Sequence, residues 1–197
     1  MNQFHEEDAF NAQFIKAIID PQGVCSLDVK ATIRDGEKYM PVWFRNISRA
    51  LYQCLKINFS SYLFIDVGCG NGLALSYVSS HYSFKKLIGI EINRDLIEEA
   101  LRLNLDNRFN IDFKIDNAMT YKVPVSPSFI FLFNPFGADT LKQFLNNNLS
   151  TMIENNCWLI YINDRHRDII DKDFIIHRDE QYNFSVYSFG RGIKALD

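Results

Sequence analysis

The sequence predicts a doubly wound α/β fold with a mostly parallel, seven-stranded sheet. Three observations lead to this prediction. From about residue 60 onward, short strand-like segments alternate with helical segments. The central strand-like segments are apolar at every position, which is typical of parallel strands covered on both faces. The last two strand-like segments have no helix between them, so we expect an antiparallel hairpin at one edge of the sheet.

Two amphipathic helices are predicted before the sheet. Residues 7–19 repeat apolar side chains at helical spacing, on a stripe formed by Phe10, Phe14, Ile15, Ile18 and Ile19. A second helix is predicted over about 41–56, with Pro41 at its first position. Residues 24–38 are turn-rich and have no clear periodicity. We expect residues 1–58 to form a helical cap on a main domain of residues 59–197, the two together making one structural unit.

The strands and helices of the main domain follow from the local pattern. Strands are predicted at Tyr62–Ile65, Lys86–Ile92, Ile111–Ile115, Phe129–Phe133, Trp158–Ile162, Phe174–Ile176 and Phe184–Phe189. Helices are predicted at 73–80, 94–104 and 139–149. Asn93 and Asp139 are the expected N-caps of the last two helices, since their side chains can accept from free backbone N–H groups. The asparagine triplet 146–148 is interpreted as the fraying end of the last helix.

Composition excludes several classes of protein. The 197 residues are 47% hydrophobic and 23% charged, and their net charge is −3, which makes nucleic acid a less favoured partner. The four cysteines form no CxxC pair and no cluster with histidine, so no metal site is predicted. The longest apolar runs are too short to span a membrane. These features indicate a cytoplasmic protein with reduced thiols.

A glycine-rich loop directly follows the first strand and begins a helix. Its three glycines, Gly68, Gly70 and Gly72, allow a tight turn and close approach of a ligand to the backbone. In the dinucleotide fingerprint the third glycine would stand at position 73, which is Leu73 here. The carboxylate of Asp66 would repel a diphosphate and attract an ammonium group. The loop therefore favours a ligand that is cationic near the glycines.

The segment Asp66–Gly72 resembles motif I of the class I S-adenosylmethionine-dependent methyltransferases. Glu91 ends the second strand, where this family has an acidic residue that binds the ribose hydroxyls, and the segment Asp116-Asn117-Ala118 fits the place beside the adenine. Tyr39-Met-Pro41 and an NPF turn resemble a small subgroup of this family. The resemblance implies a Rossmann-like methyltransferase fold, S-adenosyl-L-methionine as cofactor, and residues 59–197 as the cofactor-binding catalytic domain. The implied cofactor-binding residues are Asp66, Gly68, Cys69, Gly70, Gly72, Glu91, Ile92, Asp116, Asn117, Ala118, Asn134 and Tyr39.

The turn Asn134-Pro135-Phe136 follows the fourth strand and resembles the (N/D)PP(Y/F) turn of amino-group methyltransferases. In those enzymes the asparagine oxygen and a proline-linked carbonyl hold the target amine, and the aromatic residue stacks on it. Here Phe136 replaces the second proline, so the aromatic ring is shifted by one residue. Asn134, Pro135 and Phe136 are the candidate catalytic residues. The alternative is a rigid loop that only lines the cofactor pocket. His166 is either a proton acceptor or a solvated loop histidine.

The sequence thus indicates an enzyme that transfers a methyl group from S-adenosylmethionine to an unidentified acceptor. A nitrogen acceptor is favoured, because a neutral amine needs little activation whereas a hydroxyl needs a base or a metal. A small molecule, a sugar and a protein side chain all remain open as acceptor, and the oligomeric state is not predicted. Two alternatives stay open: a non-catalytic cofactor-binding or scaffold protein of the same fold, and an aminopropyl transferase. The aminopropyl transferases carry acidic residues in the turn after the fourth strand, and NPFG has none.

Overall fold

The computed structural model describes residue 36, residues 42–103 and residues 110–190. The predicted helix over 7–19, Tyr39 and Pro41 lie outside this part of the chain. The described residues include four α-helices: α1 (Phe44–Tyr52), α2 (Leu73–His81), α3 (Arg94–Leu103) and α4 (Ala138–Glu154). They also include seven strands: β1 (Leu63–Val67), β2 (Lys86–Glu91), β3 (Ile111–Ile115), β4 (Ser128–Phe133), β5 (Trp158–Ile162), β6 (Ile175–Asp179) and β7 (Phe184–Ser188).

The seven strands form one sheet in the order β3-β2-β1-β4-β5-β7-β6. Strands β1 to β5 pair in parallel, whereas β7 is antiparallel to both β5 and β6. This confirms the predicted doubly wound sheet and its antiparallel edge hairpin. From β1 the chain proceeds to β2 and β3 on one side, and β4 then continues on the other side of β1. The carboxyl ends of β1 and β4 therefore flank the point where the strand order reverses, which is where open α/β sheets bind ligands.

Both faces of the sheet are covered. One core cluster contains Phe64, Phe129 and Ile160 together with side chains of α1, α2 and α3. The opposite cluster contains Ile65 and Ile130 together with side chains of α4. Every residue of β1, β5 and β7 is buried, which explains why β5 is apolar throughout and β1 is apolar except for Asp66. Helix α1, the described part of the predicted cap, packs against the sheet, and its Phe44 ring stacks on Tyr77 of α2 at a centroid distance of 4.4 Å. The predicted boundary at residue 58 stays a prediction.

Several element boundaries differ from the predicted ones. Helix α1 spans only Phe44–Tyr52, because residues 53–57 continue as turns. Strand β6 begins at Ile175, since Phe174 belongs to a 3₁₀ turn. The prediction of Asn93 as an N-cap is confirmed by its Oδ1, which accepts from the backbone N–H of Asp95 at 2.9 Å. The prediction of Asp139 as an N-cap was wrong: Gly137 occupies that position, and Asp139 lies in the first turn of α4.

The asparagine triplet lies inside α4 and not at a fraying end, so that prediction was also wrong. Helix α4 continues to Glu154. The buried Asn148 side chain accepts from the backbone N–H of Val123 at 2.8 Å and donates to the carbonyl of Tyr121 at 3.0 Å. Neighbouring Asn147 donates to the carbonyl of Met119 at 2.7 Å. These amides satisfy the backbone of a loop that lies on the helix, which explains polar residues within a packed element. Among the described helices, none has the length and apolar character needed to cross a membrane.

Candidate functional site

The glycine loop after β1 turns back over the end of β2. The backbone N–H groups of Gly68 and Cys69 both donate to the carbonyl of Ile90, at 2.7 and 3.0 Å. Gly72 is the N-cap of α2 with φ +79°, and a Cβ built there would lie 2.7 Å from the Phe113 ring of β3. Positive φ and lack of space both require glycine at this position. The loop thus ends against the Phe113 ring of β3, where α2 begins.

The loop also touches the turn that follows β4. A Cβ built on Gly68, whose φ is +84°, would lie 2.2 Å from Cβ and 3.0 Å from Cγ of Pro135. Only a residue without a side chain lets the two backbones approach this closely. The structure therefore brings together the loop and the turn, which the sequence places more than 60 residues apart.

Asp66 lies on β1, near the strand ends where an open α/β sheet has its ligand crevice, and only 2% of it is exposed. Burial raises the pKa of its carboxyl well above the usual range, and the nearby charge of Glu91 raises it further. A carboxyl group in this setting gains from a positively charged partner, because such a partner offsets both effects. The site therefore favours a cationic group next to β1.

Glu91 links the end of β2 to the glycine loop. Its Oε1 accepts from the backbone N–H groups of Ile92 and Asn93 at 2.8 and 2.9 Å, and its Oε2 accepts from that of Gly70 at 3.1 Å. A carboxylate has about four acceptor positions, so one remains on Oε2 for a ligand hydroxyl. The contact with Gly70 was missed by the sequence analysis, since no local pattern indicates which backbone N–H a strand-end carboxylate will meet.

The Asp116-Asn117-Ala118 segment lies beside Glu91 at the end of β3. The backbone N–H of Asp116 donates to the carbonyl of Glu91 at 2.9 Å. The Asp116 carboxylate accepts from the backbone N–H of Asn117 at 2.7 Å, and the Asn117 side chain accepts from that of Met119 at 2.9 Å. The structure thus brings the second and third acidic positions together along one edge of the crevice.

Cys69 is a packing residue within the loop. It is 7% exposed, and its Sγ lies against Gly89 of β2, where an added Cβ would be 2.9 Å away. Burial raises the pKa of its thiol, and the charges of Asp66 and Glu91 add to this. A thiol that stays protonated is a poor nucleophile. A ligand of the loop would therefore contact the backbone of Cys69 and not its thiol.

The Asn134-Pro135-Phe136 turn forms the other wall of the crevice. Asn134 is 6% exposed and has φ +40°, a left-handed conformation that asparagine tolerates better than most residues. Its Oδ1 accepts from the hydroxyl of Tyr161 on β5 at 3.2 Å. Phe136 is buried among the side chains of the α4-side core, and its backbone pairs with Gly36. The catalytic role assigned to Asn134, Pro135 and Phe136 stays a prediction, and the burial of Phe136 favours a packing role for its ring.

His166 follows β5 and is half-buried. Its backbone N–H donates to the hydroxyl of Tyr161 at 3.4 Å. The two interpretations of its ring, as a proton acceptor or as a solvated loop histidine, stay predictions. Tyr161 itself was missed by the sequence analysis. The available signal was a single hydroxyl in the apolar strand WLIYI, since a buried tyrosine hydroxyl requires a partner. In the part of the chain described, no group of three or more His, Cys, Asp or Glu side chains has metal-binding geometry.

Comparison with known proteins gives a consistent result. Residues 64–152 match the model of a family described as a methyltransferase domain. This range contains the glycine loop, Glu91, Asp116 and the Asn134 turn. No match was found among the curated proteins.

The fold is shared with solved structures of low sequence identity. The candidate methyltransferase yhhF from Escherichia coli is 13% identical, with a TM-score of 0.60 over 76% of this chain and 88% of that one. The candidate RNA methyltransferase PH1948 from Pyrococcus horikoshii is 14% identical, with a TM-score of 0.54 over 77% and 85%. SMU.1697c, a candidate methyltransferase from Streptococcus mutans solved with S-adenosylhomocysteine, is 12% identical, with a TM-score of 0.51 over 76% and 99%. These similarities establish the fold.

Proposed function

We propose that this chain, which is a class I S-adenosylmethionine-dependent methyltransferase, transfers the methyl group to a nitrogen atom of its acceptor. The observation that carries the choice of nitrogen is the position of Asn134. Its uncharged side-chain oxygen lies at the end of β4, next to the turn residue that touches the glycine loop. An amide oxygen has two acceptor positions, and the hydrogen bond from Tyr161 uses one of them.

The residues of the crevice fit S-adenosylmethionine. The buried Asp66 carboxyl, with its raised pKa, would hold the ammonium group of the methionine part, which supplies the missing positive charge. The last acceptor position of Glu91 would take a ribose hydroxyl, and the Asp116-Asn117-Ala118 segment would lie beside the adenine. The backbone at Gly68, Gly70 and Gly72 allows the close approach that the methionine part needs. When bound, the cofactor supplies an electrophilic methyl group on a sulfonium.

The protein's own contribution is then mainly orientation. Asn134 Oδ1 would accept a hydrogen bond from an N–H of the acceptor and thereby direct the nitrogen lone pair toward the methyl group. Pro135 restricts the backbone of the turn, which keeps the Asn134 oxygen in one place. A neutral amine requires no general base before the new bond forms, and its surplus proton leaves to solvent afterwards. The uncharged side chain of Asn134 is consistent with such an acceptor.

For the acceptor molecule we propose a small metabolite, a sugar or a protein side chain in preference to nucleic acid. The net charge of −3 gives the chain no general attraction for phosphate backbones. This choice is independent of the proposed nitrogen atom, and the two are tested separately.

The test is methyl transfer from ¹³C-methyl-labelled cofactor by the full chain. A cell extract is separated into small-molecule, protein and nucleic-acid fractions, each is incubated with enzyme, and the labelled product is analysed by NMR. We expect a ¹³C shift typical of an N-methyl group. An O-methyl or C-methyl product would contradict the nitrogen assignment, and label confined to nucleic acid would contradict the acceptor class. Asn134→Ala is expected to lower turnover by about tenfold or more, on the order of 1.4 kcal/mol of barrier, with little change in cofactor affinity.

A further inference from the structure

Tyr161 donates a side-chain hydrogen bond to the Asn134 oxygen, and the surroundings of its hydroxyl fix the direction of that bond. Strand β5 holds Tyr161 on the α4-side face of the sheet, where it is 1% exposed. Its hydroxyl oxygen accepts a hydrogen bond from the backbone N–H of His166 at 3.4 Å and lies 3.2 Å from Asn134 Oδ1. Because the N–H of His166 can only donate, the hydroxyl proton is left to point toward Asn134.

The hydroxyl stays protonated at all ordinary pH values. Burial raises the pKa of Tyr161 to about 12, outweighing the hydrogen bond from the His166 N–H, which acts in the opposite direction. Tyr161 is therefore a permanent donor, and the group that meets it must be an acceptor. This requirement selects the Asn134 rotamer in which Oδ1, and not the amide nitrogen, faces Tyr161. The second lone pair of the same oxygen is then held in a defined direction as well.

The loop that carries His166 is itself anchored. Asp164, which is 2% exposed, accepts a hydrogen bond from the Ser185 hydroxyl of β7 and lies 3.3 Å from the guanidinium of Arg178 on β6. The backbone N–H of Asn163 donates to the carbonyl of Asn183 at 2.7 Å. The edge hairpin thus holds the start of the loop, and the loop holds the His166 N–H against Tyr161.

From this chain of contacts we propose that Tyr161 is a positioning residue, which orients the Asn134 oxygen toward the amine that receives the methyl group. The inference rests on the proposed function, since it assigns Tyr161 to the same amine-binding oxygen. Tyr161 acts through Asn134 and does not itself touch the acceptor. Asn134 lies on a turn directly after β4 and has a left-handed backbone. A side chain on a turn is held less firmly than one on a helix or strand, so the hydrogen bond from Tyr161 is needed to fix its oxygen.

The experiment uses two ligands and needs no acceptor. S-adenosylhomocysteine has no group at the methyl position, whereas sinefungin, an analogue of the cofactor, carries an amine there. The ratio of their two association constants, measured by calorimetry on the full chain, reports the interaction of that amine with the Asn134 oxygen. A purely structural role of Tyr161 would change both affinities together and leave the ratio unchanged.

In the wild type we expect sinefungin to bind more tightly than S-adenosylhomocysteine by about tenfold, the size of one hydrogen bond to a charged group. Asn134→Ala should remove this preference. Tyr161→Phe should reduce it by about three- to tenfold, while S-adenosylhomocysteine affinity stays within about twofold. The matched control is Tyr62→Phe, because Tyr62 is half-buried against Phe129 on the opposite face of the sheet and directly precedes β1, at the other end of the strands. That variant should leave the ratio unchanged.

The outcomes separate the two proposals. If Asn134→Ala removes the preference and Tyr161→Phe does not change it, the positioning role is overturned and the proposed function stands. If the wild type shows no preference, or Asn134→Ala keeps it, both are overturned. A wild-type measurement covers the case in which Tyr161→Phe does not fold. The Tyr161 hydroxyl proton should exchange slowly with water and show an NOE to the His166 amide, and a hydroxyl in fast exchange would overturn the proposal.

Discussion

The contact between Gly68 and Pro135 joins the two walls of the site, and adding one methyl group at Gly68 tests it. In Gly68→Ala the new Cβ would lie 2.2 Å from Cβ of Pro135, so one of the two backbones must move. The left-handed conformation of an L-residue costs roughly 1–2 kcal/mol. Forcing an additional carbon into a packed contact costs about 1–3 kcal/mol. We therefore expect the free energy of unfolding to fall by about 2–5 kcal/mol.

Two substitutions of Pro135 separate the contact from the backbone conformation. Pro135→Ala keeps the Cβ that lies 2.2 Å from the added carbon, so the cost of Gly68→Ala should persist in this background. Pro135→Gly removes that atom, and the nearest remaining atom of residue 135 is its Cα at 3.6 Å, an ordinary van der Waals distance. In this second background only the conformational cost of roughly 1–2 kcal/mol should remain. The effect of each Pro135 change alone cancels in the double-mutant cycle.

The assay is urea unfolding of the wild type, the three single variants and the two double variants. The coupling energy between Gly68→Ala and Pro135→Gly should be about 1–3 kcal/mol, and that with Pro135→Ala near zero. In thermal unfolding the loss in Gly68→Ala corresponds to a Tm lower by roughly 4–20 °C for a chain of this size. If Gly68→Ala lowered the free energy of unfolding equally in both Pro135 backgrounds, the contact between Gly68 and Pro135 would be refuted. The glycine loop and the turn after β4 would then not be packed against each other.

Two further predictions concern the carboxylates. Glu91→Ala should weaken S-adenosylmethionine binding by about 1–3 kcal/mol in calorimetry, because it leaves backbone N–H groups and a ribose hydroxyl without their acceptor; Glu98→Ala, on the exposed side of α3, should leave the affinity unchanged. Asp66→Asn should weaken cofactor binding yet stabilise the free protein at neutral pH. The raised pKa of Asp66 means that the folded state retains a proton that the unfolded state has lost, so stability falls as pH rises above the ordinary carboxyl range toward the raised pKa. Denaturation across a pH series should show a flatter dependence in Asp66→Asn, and an unchanged slope would contradict the raised pKa.

Those parts of the structure that depend on local pattern were predictable from the sequence. Runs such as FIFLF at 129–133 are apolar because β4 is covered on both faces, and this property can be read without knowing its neighbours. The glycine loop was predictable because its conformation requires glycine at defined spacings. The carboxylate at Glu91 was predictable as a position at the end of a strand. In each case the cause lies within a few residues of the effect.

The remaining features depend on partners that are distant in the sequence. Nothing near Glu91 indicates that its Oε2 accepts from Gly70, 21 residues earlier. Asn148 looked like a helix end because asparagine is a poor helix former, whereas its amide in fact satisfies the backbone at Tyr121 and Val123. The hydroxyl of Tyr161 needs a partner, but the sequence does not indicate that the partner is Asn134. Side-chain amides and hydroxyls can serve many partners equally well, so only the packed structure selects one.

The carboxyl ends of the strands carry different chemical groups on the two sides of the site. On the β1 and β2 side lie the carboxyl groups of Asp66 and Glu91, of which Glu91 accepts from the loop N–H of Gly70, and this side suits a ligand with a cationic group and hydroxyls. On the β4 and β5 side, an uncharged amide is held by a tyrosine hydroxyl that cannot ionise at ordinary pH. Beyond the paired strands β1 and β4, the two sides meet where Gly68 touches Pro135. Under the proposed function, the Asp66 and Glu91 carboxyl groups would face the cofactor, and the uncharged Asn134 amide would face the acceptor nitrogen. For a basic amine, a carboxylate at position 134 would favour the protonated form, which has no free lone pair. We therefore expect the uncharged Asn134 oxygen to be more effective than a carboxylate toward such an acceptor, even though a carboxylate is the stronger hydrogen-bond acceptor.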